Sequence, residues 1–343
     1  MNMNQWIESV LRSKNKIAIP LMTHPGIELR EEKILSAVKH GEIHFQAIKA
    51  LQEKFNPAVS VSNIMMDLTV EAEAFGSKIK FSETEVPSVI GRIVHDQESI
   101  EKLQVPKISD GRLPEYLKAA QLASQNITDR PVFAGCIGPF SLAGRLFDLS
   151  EIMTELYINP ESIKILLRKC CELLLPYVKK FKELGADGII MAEPAAGLLS
   201  AEMCDEFSSV FIKPIVEEVQ DENFLFVLHN CGNNGHATQS MLSTGAKALH
   251  LGNKINIVAV LNEVPENILI MGNLDPVGIF KLSTSEQVYE KTINLLNETA
   301  AHKNFIISTG CDTPPGVPLK NVEAFFNAVK DYNKKQKMAE SAK

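Results

Sequence analysis

One histidine and two cysteines carry the most distinctive chemistry of this sequence. His229 and Cys231 follow a hydrophobic run over residues 224–228, and Cys311 follows a second run over 305–307. Both runs predict buried strands that end at glycine-containing polar turns. Residues two apart on extended backbone project to the same side. The three side chains therefore form a candidate zinc set with an open fourth position for substrate, although unrelated turn residues would give the same short pattern.

Composition excludes several classes of protein. The chain has 343 residues, 45% of them hydrophobic, and a net charge of −7. No basic block indicates a nucleic-acid partner, and no apolar run is long enough to cross a membrane. The N-terminal stretch MNMNQWIESVLRSKNK lacks the apolar core of a signal peptide. We therefore expect a cytoplasmic location, where the six cysteines are thiols or metal ligands and not disulfides.

Short apolar runs alternate with helical patterns along most of the chain, which predicts parallel βαβ units. Eight such units make a (β/α)8 TIM barrel, whose active site lies on the loops after the strands. An open doubly wound sheet is the alternative, but no GxGxxG follows the first run to favour it. The eight predicted strands begin near residues 17, 58, 131, 188, 224, 248, 268 and 305.

We expect a single domain over residues 1–343. A short helix over 6–13 would form an N-terminal extension, and the charged residues 334–343 would be a frayed tail. Residues 77–115 contain several prolines and show no clear period. We interpret this stretch as an irregular excursion over one face of the barrel.

Most unusual polar residues lie where predicted strands end, so a barrel would gather them at one mouth. Glu193 precedes Pro194 and is a candidate fourth zinc ligand, or else a helix-capping or ion-paired carboxylate. Asp275 lies in NLDP and is equally a turn-former. The full set is His24, Asp67, Glu193, His229, Cys231, His250, Asp275 and Cys311.

Five segments together resemble the uroporphyrinogen decarboxylase superfamily: DLTVEAEAFG (67–76), GPFSLAG (138–144), EP (193–194), GNLDP (272–276) and STGCDTPPG (308–316). HNCG with a late cysteine in STGC resembles its zinc-dependent branch, typified by methylcobalamin:coenzyme M methyltransferases. The resemblance implies zinc on His229, Cys231 and Cys311, and methyl transfer from a corrinoid to a thiol.

The resemblance also suggests roles for other residues. Asp67 matches the catalytic aspartate of the decarboxylases, and we assign catalytic roles to Asp67 and Asp275, which could orient His229 or hydrogen-bond the corrinoid. Asn63 and His250 are assigned to cofactor binding. His250 and His24 could instead support the site or pack beside it.

The decarboxylase branch resembles this chain less closely. Its MRQAGRY motif grips substrate carboxylates through arginines, and the equivalent stretch here is MTHPGIE (22–28), with Thr23 and Ile27 at the two arginine positions. We therefore expect a zinc methyltransferase that uses methylcobalamin, free or on a corrinoid protein. Its acceptor would be a small thiol such as coenzyme M or homocysteine. A porphyrinogen decarboxylase and a non-catalytic zinc- or corrinoid-binding protein are the alternatives.

Overall fold

A parallel β-sheet organises the protein, and its strands alternate with helices along the chain. The computed structural model describes residues 1–58, 60–61 and 67–341. The strands in this part are β1 (Ser60–Val61), β2 (Lys78–Lys80), β3 (Ser88–Ile90), β4 (Val132–Ile137), β5 (Gly188–Ala192), β6 (Leu225–Asn230), β7 (Ala248–Leu251), β8 (Leu269–Leu274) and β9 (Phe305–Thr309). All except the antiparallel hairpin β2–β3 join one sheet in the order β1-β4-β5-β6-β7-β8-β9.

The segment 17–21, predicted as the first strand, closes this sheet into a barrel. Ile19 N donates to Ile307 O (3.0 Å), Ile307 N donates to Ile17 O (3.1 Å), and Ala58 N reaches Ala18 O (3.4 Å). The segment forms only an isolated bridge between Ala18 and Ile307. Its ladder stops because Pro20 has no N–H to donate. The predicted α/β barrel is confirmed, with a closing strand shorter than expected.

The Thr309 hydroxyl continues the contact where the ladder stops. It accepts from Leu21 N (3.0 Å) and donates to Leu21 O (3.2 Å). A side chain thus satisfies backbone groups that would otherwise be buried without partners. The segment 17–21 therefore remains hydrogen-bonded to β9 as far as the barrel mouth.

Helices surround the barrel and also cross its mouth. None in the described ranges is long and apolar enough to cross a membrane. The helices are α1 (Met3–Arg12), α2 (His24–Leu29), α3 (Ile34–Lys39), α4 (Gly41–Phe55), α5 (Val70–Ala74), α6 (Gln97–Lys102), α7 (Leu113–Asn126), α8 (Pro139–Phe147), α9 (Leu149–Ile158), α10 (Pro160–Glu183), α11 (Ala201–Cys204), α12 (Val210–Val219), α13 (Thr238–Ser243), α14 (Ile257–Glu263), α15 (Ser285–Glu298) and α16 (Leu319–Ser341). A 3-10 turn spans Pro194–Leu198, and a π turn spans Asp205–Ser209.

The N-terminal extension is confirmed as α1. Met3, Ile7 and Val10 recur at helical spacing and are buried in the main core. The Asn2 side chain caps the helix by accepting from Gln5 N. This apolar stripe holds the helix against the body of the barrel.

Several predicted boundaries differ from the structure. The helix predicted over 6–13 spans Met3–Arg12. The excursion 77–115 holds the hairpin, α6 and the start of α7, elements too short or too late in the stretch to reveal a period. The last helix reaches Ser341, within the residues predicted to be a frayed tail. The single domain and the frayed tail stay predictions.

A buried ion pair fixes the chain just after the β1 region. Asp67 is fully enclosed, and its Oδ2 lies 2.7 Å from Arg112 Nη1 at the start of α7. Tyr116 donates its hydroxyl to the same oxygen. Arg112 also contacts Glu73 (2.5 Å) and donates to the Thr69 hydroxyl (2.8 Å). The guanidinium therefore ties α5 and the chain around Asp67 to α7.

Removing this guanidinium should destabilise the protein strongly. Arg112→Met would leave the Asp67 carboxylate buried without its cation, which costs about 3–5 kcal/mol. Urea unfolding followed by circular dichroism measures the free energy of unfolding. The matched control is Arg12→Met, because Arg12 pairs with Glu8 on the exposed surface and should change that free energy by less than about 1 kcal/mol. Equal losses in both variants would contradict the assignment.

A second buried carboxylate makes stability depend on pH. Glu71 on α5 accepts from Ile137 N (3.1 Å) at the end of β4, and burial raises its pKa to about 7. The folded protein therefore keeps a proton that the unfolded chain releases above about pH 4.5. The contribution to stability is full below that pH and falls until about pH 7.

Glu71→Gln should flatten this pH dependence. In the parent, we expect the free energy of unfolding to fall by about 1 kcal/mol per pH unit between pH 4.5 and 7 from this group. The glutamine keeps an acceptor for Ile137 N but does not titrate. Unfolding in urea at half-unit pH steps compares the two proteins. An unchanged difference in stability across this window would refute the protonated state of Glu71.

Candidate functional site

His229, Cys231 and Cys311 converge at the carboxyl-terminal mouth of the barrel. One ligand atom from each lies within 4.8 Å of the others. His229 is the penultimate residue of β6, Cys231 directly follows β6, and Cys311 lies two residues after the end of β9. His229 is 2% exposed, whereas both cysteines are half-buried. The set therefore has a closed side towards the barrel interior and a side that a ligand could reach.

Local turn chemistry and close backbone packing bring the two cysteines together. Asn230 Oδ1 accepts from the amides of Gly232 (2.9 Å) and Asn233 (3.0 Å), which folds the chain sharply around Cys231. A Cβ on Gly252 would lie 2.4 Å from the Cys231 carbonyl oxygen. Glycine is therefore required where the loop after β7 touches the Cys231 turn.

The same loop also supports the other cysteine. A Cβ on Gly310 would lie 2.6 Å from the amide nitrogen of Asn253. Asn273 at the end of β8 donates to the carbonyls of Gly252 (3.0 Å) and Ile255 (2.9 Å). The loop after β7 is thus held from one side by β8 and contacts both cysteine-bearing turns. This packing sets the separation of the two sulfur atoms.

A hydrogen-bonded chain fixes the orientation of His229. Its Nδ1 lies 2.8 Å from Nδ1 of His250, which is its register neighbour on β7. His250 Nε2 lies 2.8 Å from the Ser308 hydroxyl on β9. Burial holds the pKa of His250 well below its ordinary value, so its ring is neutral, with one donor and one acceptor. When the His229 Nδ1–H donates to His250, Nε2 keeps a free lone pair for a metal.

The two sulfur atoms are not equivalent. A hydrogen bond from Cys311 lowers the pKa of Cys231, and His229 lowers it further against the effect of burial. The same bond and the buried surroundings raise the pKa of Cys311 well above its ordinary value. Cys231 is therefore the sulfur that releases its proton first. A thiolate is the form that binds metals, so Cys231 is prepared for this role.

The donor set fits zinc. Two sulfurs and an imidazole suit this metal, whose structural sites take four protein ligands and whose catalytic sites take three and leave one position open. In the described part of the chain, the group of potential ligands contains three residues. Its fixed imidazole and partly accessible sulfurs match the catalytic arrangement.

Glu193, a candidate fourth ligand, lies outside this group. Its carboxylate accepts from the amides of Phe140 (3.0 Å) and Ser141 (2.5 Å) in the first turn of α8. Burial raises its pKa to about 7, although these bonds act in the opposite direction. The Glu193 amide donates to the His229 carbonyl (2.8 Å). In this geometry the residue clamps α8 to the strand end beside His229, which matches the alternative of a helix-capping carboxylate.

The other predicted residues lie in supporting positions. Asp275 Oδ1 accepts from the amides of Val277 and Gly278, both at 2.9 Å, as expected for the turn-forming alternative. The carboxylate of Asp67 is occupied by the Arg112 and Tyr116 contacts.

His24 and Asn63 complete the predicted set. His24 is buried at the start of α2, and its Nδ1 lies 2.7 Å from the Thr313 carbonyl. It therefore supports the chain that follows Cys311. Asn63 lies outside the described residues, and its cofactor-binding role stays a prediction.

Sequence reasoning missed two partners of predicted residues. Ser308 ends the chain through His250, and Arg112 neutralises Asp67. The sequence could have identified Ser308 as a partner, because it lies in the STGC segment at the end of a buried strand. No sequence pattern identifies Arg112, since it lies 45 residues from Asp67 in the stretch without a clear period.

His250 should control how tightly the site holds a metal. His250→Leu removes the acceptor for His229 Nδ1–H, and loss of such a partner typically lowers metal affinity 10–100-fold. His250→Asn is the rescue variant, since an amide oxygen can replace the Nδ1 acceptor. Competition with a chelator measures zinc affinity in the parent and both variants. Equal affinities for the parent and His250→Leu would show that His250 only packs beside His229.

Comparisons with known proteins agree with this architecture. The family model for uroporphyrinogen decarboxylase (URO-D) matches residues 26–332. A methylcobamide:CoM methyltransferase, MtbA, of Methanosarcina acetivorans is 30% identical over 273 residues, covering 78% of this chain and 79% of the relative. A uroporphyrinogen decarboxylase of Coxiella burnetii is 24% identical over 280 residues, covering 79% and 76%.

A solved structure extends the likeness to the fold. A methyltransferase from Methanosarcina mazei superposes with a TM-score of 0.84 at 21% identity, over 94% of this chain and 97% of that one. The agreement spans nearly the whole barrel. Together with the family model, which matches most of the chain, it leads to one conclusion: this protein belongs to the uroporphyrinogen decarboxylase family.

Proposed function

We propose that this protein is a zinc-dependent methyltransferase that moves a methyl group from a methylcorrinoid to a small thiol. The convergence of His229, Cys231 and Cys311 within 4.8 Å carries the proposal. The methyltransferase relative, named for methylcobamide and CoM, supports this function over the alternatives. Coenzyme M and homocysteine both remain candidate acceptors, and the corrinoid would be free or carried on a partner protein.

The residues of the site suit the activation of a thiol. A bound zinc would supply the Lewis acidity that keeps a substrate thiol deprotonated near neutral pH. Two cysteine thiolates offset the charge of a divalent metal, and neutral His229 adds none. The surroundings therefore leave a substrate sulfur electron-rich. His250 and Ser308 hold His229 in one orientation, so the three donors keep their arrangement while substrates exchange.

Methyl transfer from the methylcorrinoid to the thiol conserves atoms and electrons without a third reactant. The sulfur lone pair forms the new S–C bond, and the electron pair of the Co–C bond stays on cobalt. The products are a thioether and cob(I)alamin, with the thiol proton released to solvent. The half-buried cysteines lie on the accessible side of the site, where a large methyl donor could approach.

Two features argue against decarboxylation of a porphyrinogen. Thr23 and Ile27 take the positions of carboxylate-gripping arginines and are both buried, with Ile27 inside an apolar cluster. Asp67 is neutralised by Arg112 and hydrogen-bonded by Tyr116, so its carboxylate is already occupied. A substrate with many carboxylates needs cationic partners that these positions lack.

Metal content and turnover should both depend on Cys311. The purified protein should hold about one zinc per chain and convert methylcobalamin plus 2-mercaptoethanesulfonate or homocysteine to cob(I)alamin and a thioether. Cys311→Ala should lose most of the zinc and at least about 100-fold in rate, because one of three ligands is gone. Cys171→Ala is the matched control, since Cys171 is a half-buried thiol on α10.

Elemental analysis, absorbance of the corrinoid and mass spectrometry of the thioether give the three readouts. Full zinc retention in Cys311→Ala would remove Cys311 from the site. A zinc-loaded parent that methylates none of the tested thiols would contradict the proposed reaction. Coproporphyrinogen formed from uroporphyrinogen would instead restore the decarboxylase, and zinc or corrinoid binding without any turnover would favour the binding protein.

A further inference from the structure

A pocket of about 350 Å³ opens at the barrel mouth between α8 and the 3-10 turn Pro194–Leu198. Its volume lies in the range of small-ligand sites. Most of its wall is apolar, and the principal side chains of that wall are Leu68, Val89, Leu149, Pro194 and Leu198. Leu149 and Leu198 are also exposed to solvent at 39% and 59%. The pocket is therefore open to an approaching ligand.

The pocket shares a wall with the candidate metal site. The 3-10 turn forms one side of the pocket. On its other side, a Cβ on Gly197 would lie 2.3 Å from the carbonyl carbon of Gly232, directly after Cys231. Glu193, which precedes the turn, donates its amide to the His229 carbonyl (2.8 Å). A small molecule bound at the candidate metal site could therefore extend past the 3-10 turn into this pocket.

Arg145 is the one lysine or arginine among the described residues that line the pocket. In the described part of the chain, its guanidinium makes neither a hydrogen bond nor an ion pair. Asp148 lines the same pocket, but its Oδ1 accepts from the amides of Ser150 (2.9 Å) and Glu151 (3.3 Å) at the start of α9. The carboxylate thus caps a helix and forms no ion pair with the guanidinium.

A guanidinium on apolar walls is suited to an oxyanion, which it can bind through two parallel hydrogen bonds. We propose that this pocket binds the anionic group of a ligand, a sulfonate, carboxylate or phosphate, through Arg145. The inference rests on the proposed function for the identity of the ligands. Two sources offer such a group: the acid end of the thiol acceptor and the phosphodiester of the corrinoid.

Ligand pairs with and without the anionic group distinguish these sources. The thiol pair is 2-mercaptoethanesulfonate and 2-mercaptoethanol, and the corrinoid pair is methylcobalamin and methylcobinamide, which lacks the phosphodiester. Arg145→Met should raise Kd and KM about 10–100-fold for the member of one pair that carries the anionic group and leave the constants of its counterpart unchanged. Asp148→Asn should tighten binding of the same member, because the amide keeps the helix cap but removes a like charge.

Arg168→Met, which changes an exposed arginine on α10, is the matched control. An effect in the thiol arm locates the acid group of the acceptor at Arg145, and an effect in the corrinoid arm locates the phosphate there. The proposal is overturned if Kd and KM stay unchanged in both arms, or if the members with and without the anionic group shift equally.

Calorimetric binding needs no turnover, so the two hypotheses can fail separately. If the parent transfers no methyl group but shows Arg145-dependent anion binding, the proposed function fails and this site stands. If the parent is active and Arg145→Met leaves Kd and KM unchanged, the anion-site proposal is wrong and the proposed function is supported.

Discussion

The chain of hydrogen bonds from His229 through His250 to Ser308 is the constraint on which the site depends. It joins β6, β7 and β9 inside the barrel, where a buried polar group without a partner would cost free energy. Each imidazole has its partner only if the strands keep their register. The same bonds that stabilise the interior therefore set the orientation of the His229 ring.

Three acidic side chains near the mouth are each occupied by a different partner. Asp67 is neutralised by Arg112, and Glu193 accepts from the first amides of α8. Asp275 shapes the turn after β8. None of these carboxylates needs a metal or substrate to satisfy it. The half-buried Cys231 and Cys311 are the part of the candidate site that a ligand could reach.

Members of one family can share a barrel and differ in chemistry because the chemistry depends on few positions. In this chain, Thr23 and Ile27 are packed where carboxylate-binding arginines would be needed, and Ile27 belongs to an apolar cluster with α3 and α4. Asp67, which the sequence resemblance matches to the decarboxylase aspartate, is held in a buried ion pair. The proposed thiol-activating site at the ends of β6 and β9 requires neither of these features.

Local patterns in the sequence determined the barrel and the three candidate metal ligands. Strand runs, their polar ends and the spacing of His229 and Cys231 are properties of short segments, so they can be recognised without the fold. The tertiary structure decided the partners. Pro20 limits the closing segment to a bridge, and Arg112 pairs with Asp67. The first amides of α8 bind the Glu193 carboxylate, which lies outside the candidate metal-binding group. These outcomes depend on contacts between residues far apart in the chain, whose geometry no local pattern encodes.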